Sequence, residues 1–440
     1  MNYEQISQEL VDFIAKCPSM FHTVSAIRHH LDQAGFTYLP EQNAWCVQPG
    51  GSYYTVRNNS SIVAFKVGAQ LPQDGCHFQM TAVHGDSPTY KLKAQPELEG
   101  PAEYLRLNVE GYGGGIDASW LDKPLGLAGR VMVQDDSCIQ SRLLFIDQDV
   151  LLIPNVAIHM NRQANDGFSF NKQIDLCPLF SAGQLKQGDF LRMIAGQLDV
   201  QPKQILSHDL YLVNRQQGCI WGWAKEFVSS PRLDDLQCAF ASLKAFLASG
   251  NQETISVFAC FDNEEVGSGT KQGALSTFLA DTLQRINERL GRTAEDYHRA
   301  LACSFMVSCD NAHAVHPNHP EKTDAQNNCQ LNGGVVIKES ANQRYTTDAF
   351  SRALFKAVCQ RANVPVQVFA NRSDTPGGST LGNLSNTQVS VHALDIGLPQ
   401  LAMHSSYETA GVKDTGYAIQ ALTEFFNTTL RINGADNATL

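Results

Sequence analysis

No uninterrupted apolar run in this 440-residue chain approaches the ~20 residues that a membrane-spanning helix needs. Membrane insertion is therefore not expected. Twelve cysteines are present, yet none form a CxxC pair. Dispersed buried thiols in a reducing compartment are expected, rather than disulfides or a thiolate-bound metal. Basic residues are in deficit, 33 Lys and Arg against 44 Asp and Glu, giving a formal net charge of -11. No basic stripe runs along the chain, and such a surface repels phosphate backbones, so no nucleic-acid partner is expected. The start, Met1-Asn2-Tyr3-Glu4-Gln5, lacks a basic, apolar leader, which points to a cytoplasmic location. The glycine-rich Asp374-Thr375-Pro376-Gly377-Gly378-Ser379-Thr380 lacks the lysine and spacing of a phosphate-binding loop.

What the chain does contain is a series of apolar, strand-like runs that end in chemically active residues. Thr254 to Cys260 empties into Asp262-Asn263-Glu264-Glu265, and Phe78 to Val83 into His84-Gly85-Asp86. Leu301 to Cys309 ends at Asp310, and Ser230-Pro231-Arg232-Leu233-Asp234-Asp235 opens a helix rich in Ala, Leu and Phe. His404 follows the last strand expected, Val389 to Leu394. Each of these has a plain alternative. Glu264 and Glu265 also fit a solvated turn, Asp234 and Asp235 a helix N-terminus favoured by its dipole, and His84 with Asp86 a hydrogen-bonded turn. In an open α/β sheet, however, strand ends border the crevice where ligands bind. Oxygen and nitrogen donors without thiolates suit Zn²⁺, with Mn²⁺ or Co²⁺ as substitutes.

The length allows two or three domains at a prior of ~150 residues each. Between about Leu92 and Ala224 the pattern changes to short strands and Gly-rich turns, which reads as an insertion. The expected architecture is α/β, a mixed central sheet flanked by helices formed by residues 1–91 and 225–440, with a β-rich second domain at 92–224. Within that insertion His159 stands in the apolar segment Ile153 to Met160, where a lone histidine is usually structural.

Five motifs together resemble the aspartyl aminopeptidase family: His84 to Pro88, Ser230 to Leu236, Asp262 to Ser268, Asp310 to Asn318, and Met403-His404-Ser405. The resemblance implies a zinc-peptidase-like catalytic domain and two Zn²⁺ per subunit. Asp234 would bridge the ions, His84 and Asp310 would complete one shell, and Glu265 and His404 the other. Asp86 would orient His84, and Glu264 would act as general base. The resemblance further implies that Lys338 pairs with an N-terminal Asp or Glu of a peptide substrate, and that His159 enters a neighbouring subunit's active site to stabilise an oxyanion. A homo-oligomer of dimers building a dodecamer, with the insertion serving oligomerisation, follows from the same resemblance. Asp235 stands where asparagine is expected, Gly85 where a small hydroxyl residue is expected, and Gly377-Gly378 and Asn383 alter the late loop. These departures bear on acidic selectivity. The other readings are a broad-specificity aminopeptidase, a carboxypeptidase or deacylase on the same metal core, and a scaffold without activity.

Overall fold

The computed structural model describes residues 1–440. A nine-stranded mixed sheet forms its centre. Four of its strands, Ile255–Phe261, Phe78–His84, Phe305–Cys309 and His392–Gly397, lie side by side and parallel. Phe261 is in register with His84 and Cys309 with Ile396, so all four chains leave the sheet at the same edge. Antiparallel and outer strands complete the sheet on both flanks.

Every residue of Phe78–His84 and Ile255–Phe261 is buried, as expected for parallel strands covered on both faces. Alternate side chains feed two separate cores. Phe258 and Cys260 pack with Phe240, Phe246 and Phe425 on one face. Val257, Ala259 and Phe261 pack with Phe278, Leu283 and Ile286 on the other. Fully burying one such phenylalanine contributes ~2–3 kcal/mol. The parallel edge that carries the chemistry is therefore fixed from above and below. No helix is long and apolar enough to cross a membrane.

A second, six-stranded antiparallel sheet runs from Thr89–Glu99 to Ile205–Asn214 and has its own core around Trp120, Leu127, Val131 and Phe190. It meets the main body where Met20 and Phe21 pack on Tyr112 and Tyr211, with the Arg130 guanidinium 4.4 Å from the Phe21 ring centre. This sheet is not devoid of helix, since Asp189–Gln197 is α-helical and buries Phe190 and Ile194.

A five-stranded sheet, in the order Cys219–Trp221, Phe227–Ser230, Glu408–Gly411, Pro399–Leu401 and Ala312–His313, sits beside the parallel edge. The chain thus continues into further strands beyond the one expected to be last. The helix expected at Asp234 also begins differently: Arg232 is left-handed (φ 59°), and Asp234 (φ -81°, ψ 114°) is not helical. Asp234 therefore sits at a backbone corner rather than on a regular first turn.

Candidate metal centre

The parallel edge and the five-stranded sheet bring His84, Asp234, Asp235, Glu264, Glu265, Asp310 and His404 into one cluster. Their ligand atoms form three overlapping groups: His84, Asp234, Asp235 and Asp310; His84, Glu264 and Glu265; and Asp234, Glu265 and His404, each with donors within 4.8 Å of one another. Asp234 belongs to the first and the last. Its Oδ1 lies 3.8 Å from His84 Nε2, and its Oδ2 lies 3.4 Å from His404 Nε2. One carboxylate therefore presents one oxygen to each of two histidines.

Both imidazoles have their other nitrogen committed. His84 Nδ1 donates to the backbone carbonyl of Asp86 at 3.1 Å, with the Asp86 carboxylate slightly farther at 3.5 Å. His404 Nδ1 donates to the carbonyl of Gly114 at 2.8 Å. A carbonyl only accepts, so Nδ1 carries the proton in each ring and Nε2 is the free donor to a cation. Asp86 also accepts from the backbone N–H groups of Glu264 and Glu265, both at 3.2 Å, and from the Tyr112 hydroxyl at 2.7 Å.

The donor set fits divalent cations. Asp234 Oδ1, Asp235 Oδ1 and Glu265 Oε1 are buried without any hydrogen-bond partner, which is costly unless something positive faces them. Two donors at ~2.1 Å from a tetrahedral zinc lie about 3.4 Å apart. His404 Nε2 is 3.4 Å from Asp234 Oδ2 and 3.4 Å from Glu265 Oε2. Burial and the neighbouring carboxylates push Glu265, Asp235 and Asp310 above the usual carboxylate range, and Glu264 up to about 8. Burial disfavours the charged form of His404, but Asp234 and Glu265 outweigh it and carry the ring up to about 10. Protons and cations thus compete for one electron-rich pocket, and two divalent ions would relieve the repulsion among its acids.

Two expected site residues lie outside that cluster. Lys338 is buried, 2 % exposed, and donates to the carbonyls of Asp310 at 2.7 Å and Asn311 at 3.2 Å. Its Nζ is 3.7 Å from Asp310 Oδ1, so it braces a candidate ligand from behind instead of facing an open pocket. His159 lies in an exposed turn beside exposed Val156, Ile158 and Met160, and is not among the groups that this chain gathers. Its segment reads as apolar in sequence, but no core covers it within the single chain.

Sequence reasoning missed Glu408, Tyr112 and the Gly114 carbonyl, and treated Asp235 as a helix-opening acid. The run Tyr112-Gly113-Gly114-Gly115 is a visible signal for a close backbone approach. Gly113 is left-handed (φ 74°), and a Cβ there would come within 3.1 Å of Glu265 Cβ.

Residues 13–426 match the family model described as aminopeptidase I zinc metalloprotease (M18). A curated relative from Clostridium novyi, described as "Probable M18 family aminopeptidase 2", is 44% identical over 432 residues, 97% of this chain and 99% of the relative. Among solved structures, the Ape4 and Nbr1 complex contains a chain matching 97% of this one, with 86% of that chain covered, 37% identity and a TM-score of 0.93. The mApe1 dodecamer of S. cerevisiae matches at 29% identity and a TM-score of 0.86, covering 97% of each chain. With the family model matching residues 13–426 and the relative covering nearly the whole length, the chain belongs to the M18 family of zinc aminopeptidases.

Proposed function

We propose that this chain removes an N-terminal Asp or Glu from peptides at a site holding two zinc ions. The observation that carries the two-ion reading is Asp234, whose Oδ1 and Oδ2 face His84 and His404 respectively. His84 and Asp310 would complete one shell, with Asp235 close by, and Glu265 and His404 the other. When bound, two such ions acidify a shared water toward a pKa of ~7 and polarise a carbonyl. Glu264 shares a group with His84 and Glu265 and is only half-buried, so it would be placed to take the proton from an attacking water and hand it to the leaving amine. Asp86 holds His84 and the Glu264-Glu265 backbone in place for this.

Preference for an acidic residue is supported by cationic groups beside the centre. A neighbouring cavity that reaches Ala402 is lined by Lys322 and Arg372, and the buried Lys338 ammonium lies behind Asp310. A homo-oligomer, a dodecamer like that of mApe1, is proposed on the family likeness. In it the part of the chain at 92–224 would form contacts between subunits, and His159, exposed here, would reach a neighbour's centre. Twelve unpaired cysteines accord with a reducing, cytoplasmic setting.

The test is hydrolysis of a panel of aminoacyl reporters, with and without chelator. Fast, chelator-sensitive release from aspartyl and glutamyl reporters supports the reading. Release that chelator leaves unchanged overturns the metal chemistry, and equal rates on leucyl and aspartyl reporters overturn the acidic preference in favour of a broad-specificity aminopeptidase.

A further inference from the structure

His404 and Asp234 both stand where the backbone is irregular. His404 is left-handed, with φ 68°, and Asp234 stands at a non-helical corner. A buried backbone N–H at such a place needs an acceptor from elsewhere. One side chain supplies both. Glu408, 1 % exposed, accepts the Asp234 N–H with Oε2 at 3.0 Å and the His404 N–H with Oε1 at 2.7 Å. Glu408 opens a strand whose partner is the segment that leads into Asp234, with Glu408 in register with Ser230. The same chain delivers His404 four residues earlier. The arrangement repeats, on the opposite flank, what Asp86 does for the backbones of Glu264 and Glu265.

We propose that Glu408 is a positioning residue: by giving one oxygen to each N–H it sets the spacing between the Asp234 carboxylate and the His404 imidazole, and so the affinity of the ion that they and Glu265 would share. The inference rests on the metallopeptidase reading above. Both oxygens must accept. Glutamine offers one acceptor and turns an NH₂ group toward the other backbone N–H, which is repulsive. Aspartate keeps two acceptors on a side chain one methylene shorter. Loss of a group that orients a ligand typically weakens metal binding ~10–100-fold without removing any ligand.

The experiment uses the full-length protein and its Glu408→Gln and Glu408→Asp variants, equilibrated in zinc buffers spanning a range of free zinc. Bound zinc per chain, melting temperature, kcat and KM are read on each. For Glu408→Gln the expected result is a need for ~10–100-fold more free zinc to fill the weaker site. Its kcat should be low at limiting zinc and recover with added zinc, while KM stays at the parental value. Glu408→Asp should fall between the two, and it carries the same comparison if Glu408→Gln does not fold. Equal zinc affinity in the parent and both variants overturns the proposal, as does a loss of kcat that saturating zinc does not restore. A parent chain that binds no zinc would instead sink the metallopeptidase reading itself, whereas a parent with wild zinc occupancy and unaffected variants sinks only the role of Glu408.

Discussion

His404 and Gly114, 290 positions apart in the chain, are joined by a 2.8 Å hydrogen bond from the imidazole Nδ1 to the glycine carbonyl. Gly114 follows the strand Tyr104–Tyr112 of the six-stranded sheet, whereas His404 belongs to the hairpin between Pro399–Leu401 and Glu408–Gly411. Which ring nitrogen of this candidate ligand is left free is thus decided by a different sheet from the one that carries it. A second contact of the same origin is the Tyr112 hydroxyl on Asp86.

Tyr112→Phe tests that dependence. It removes one hydroxyl that donates to Asp86 at 2.7 Å and accepts from Asn263 at 2.8 Å, while leaving the ring against Tyr211. Zinc affinity is expected to fall ~10-fold or more, with ligands unchanged, because an outer partner of His84 has been loosened. Titration with a competing zinc chelator measures it.

Glu264→Gln separates proton transfer from metal binding. The variant is expected to keep the zinc content of the parent and to lose ~10²–10⁴-fold in kcat, the usual contribution of a positioned general base. Metal analysis and steady-state kinetics on the same preparation check both halves.

Lys338→Met removes a buried ammonium and leaves the carbonyls of Asp310 and Asn311 without their donor. Each orphaned buried acceptor costs ~1–3 kcal/mol, so denaturant unfolding should show a loss of that order. The ratio of aspartyl to leucyl reporter hydrolysis should also drop, since a fixed positive charge near the site has gone.

His22 gives the fold a weakness toward acid. Burial, assisted by the nearby Arg232 charge, lowers its imidazole from 6.5 to about 4, and Nδ1 lies 2.8 Å from the Ser19 hydroxyl. Between these two values the unfolded chain holds a proton that the folded chain does not, so stability rises with pH across the window and is lost as pH falls from 6.5 toward 4. At ~1.4 kcal/mol per unit the upper limit is ~3 kcal/mol, less for a ring that keeps some contact with water. His22→Gln should flatten the dependence of urea-unfolding free energy on pH over that interval, measured on zinc-free protein so that metal release does not contribute.

The residues that could be read from sequence were those at the ends of apolar runs. Phe78–His84, Ile255–Phe261 and Phe305–Cys309 are continuous and buried on both faces, and each delivers its polar residue at its last position or within four positions beyond it. The proposed two-ion arrangement is less local, because it depends on Asp234 turning at a corner that looks like a helix start. Glu408 and Gly114 had no signal of that sort. Their roles arise from backbone hydrogen bonds between segments that meet only after the sheets dock, and periodicity carries no information about such meetings. His159 was read as lying in an apolar stretch, but Val156, Ile158 and Met160 around it are exposed, so its hydrophobic neighbours do not mark a core of this chain.

The seam at Tyr112 and Gly114 bears on how such an enzyme can be cut or recombined. Excising residues 92–224 would leave every proposed zinc-binding side chain in the polypeptide, yet strip away the hydroxyl and carbonyl that aim two of them. A trimmed core is therefore a poor starting point for a minimal catalyst, and chimaeras between relatives should inherit both sides of that seam from one parent.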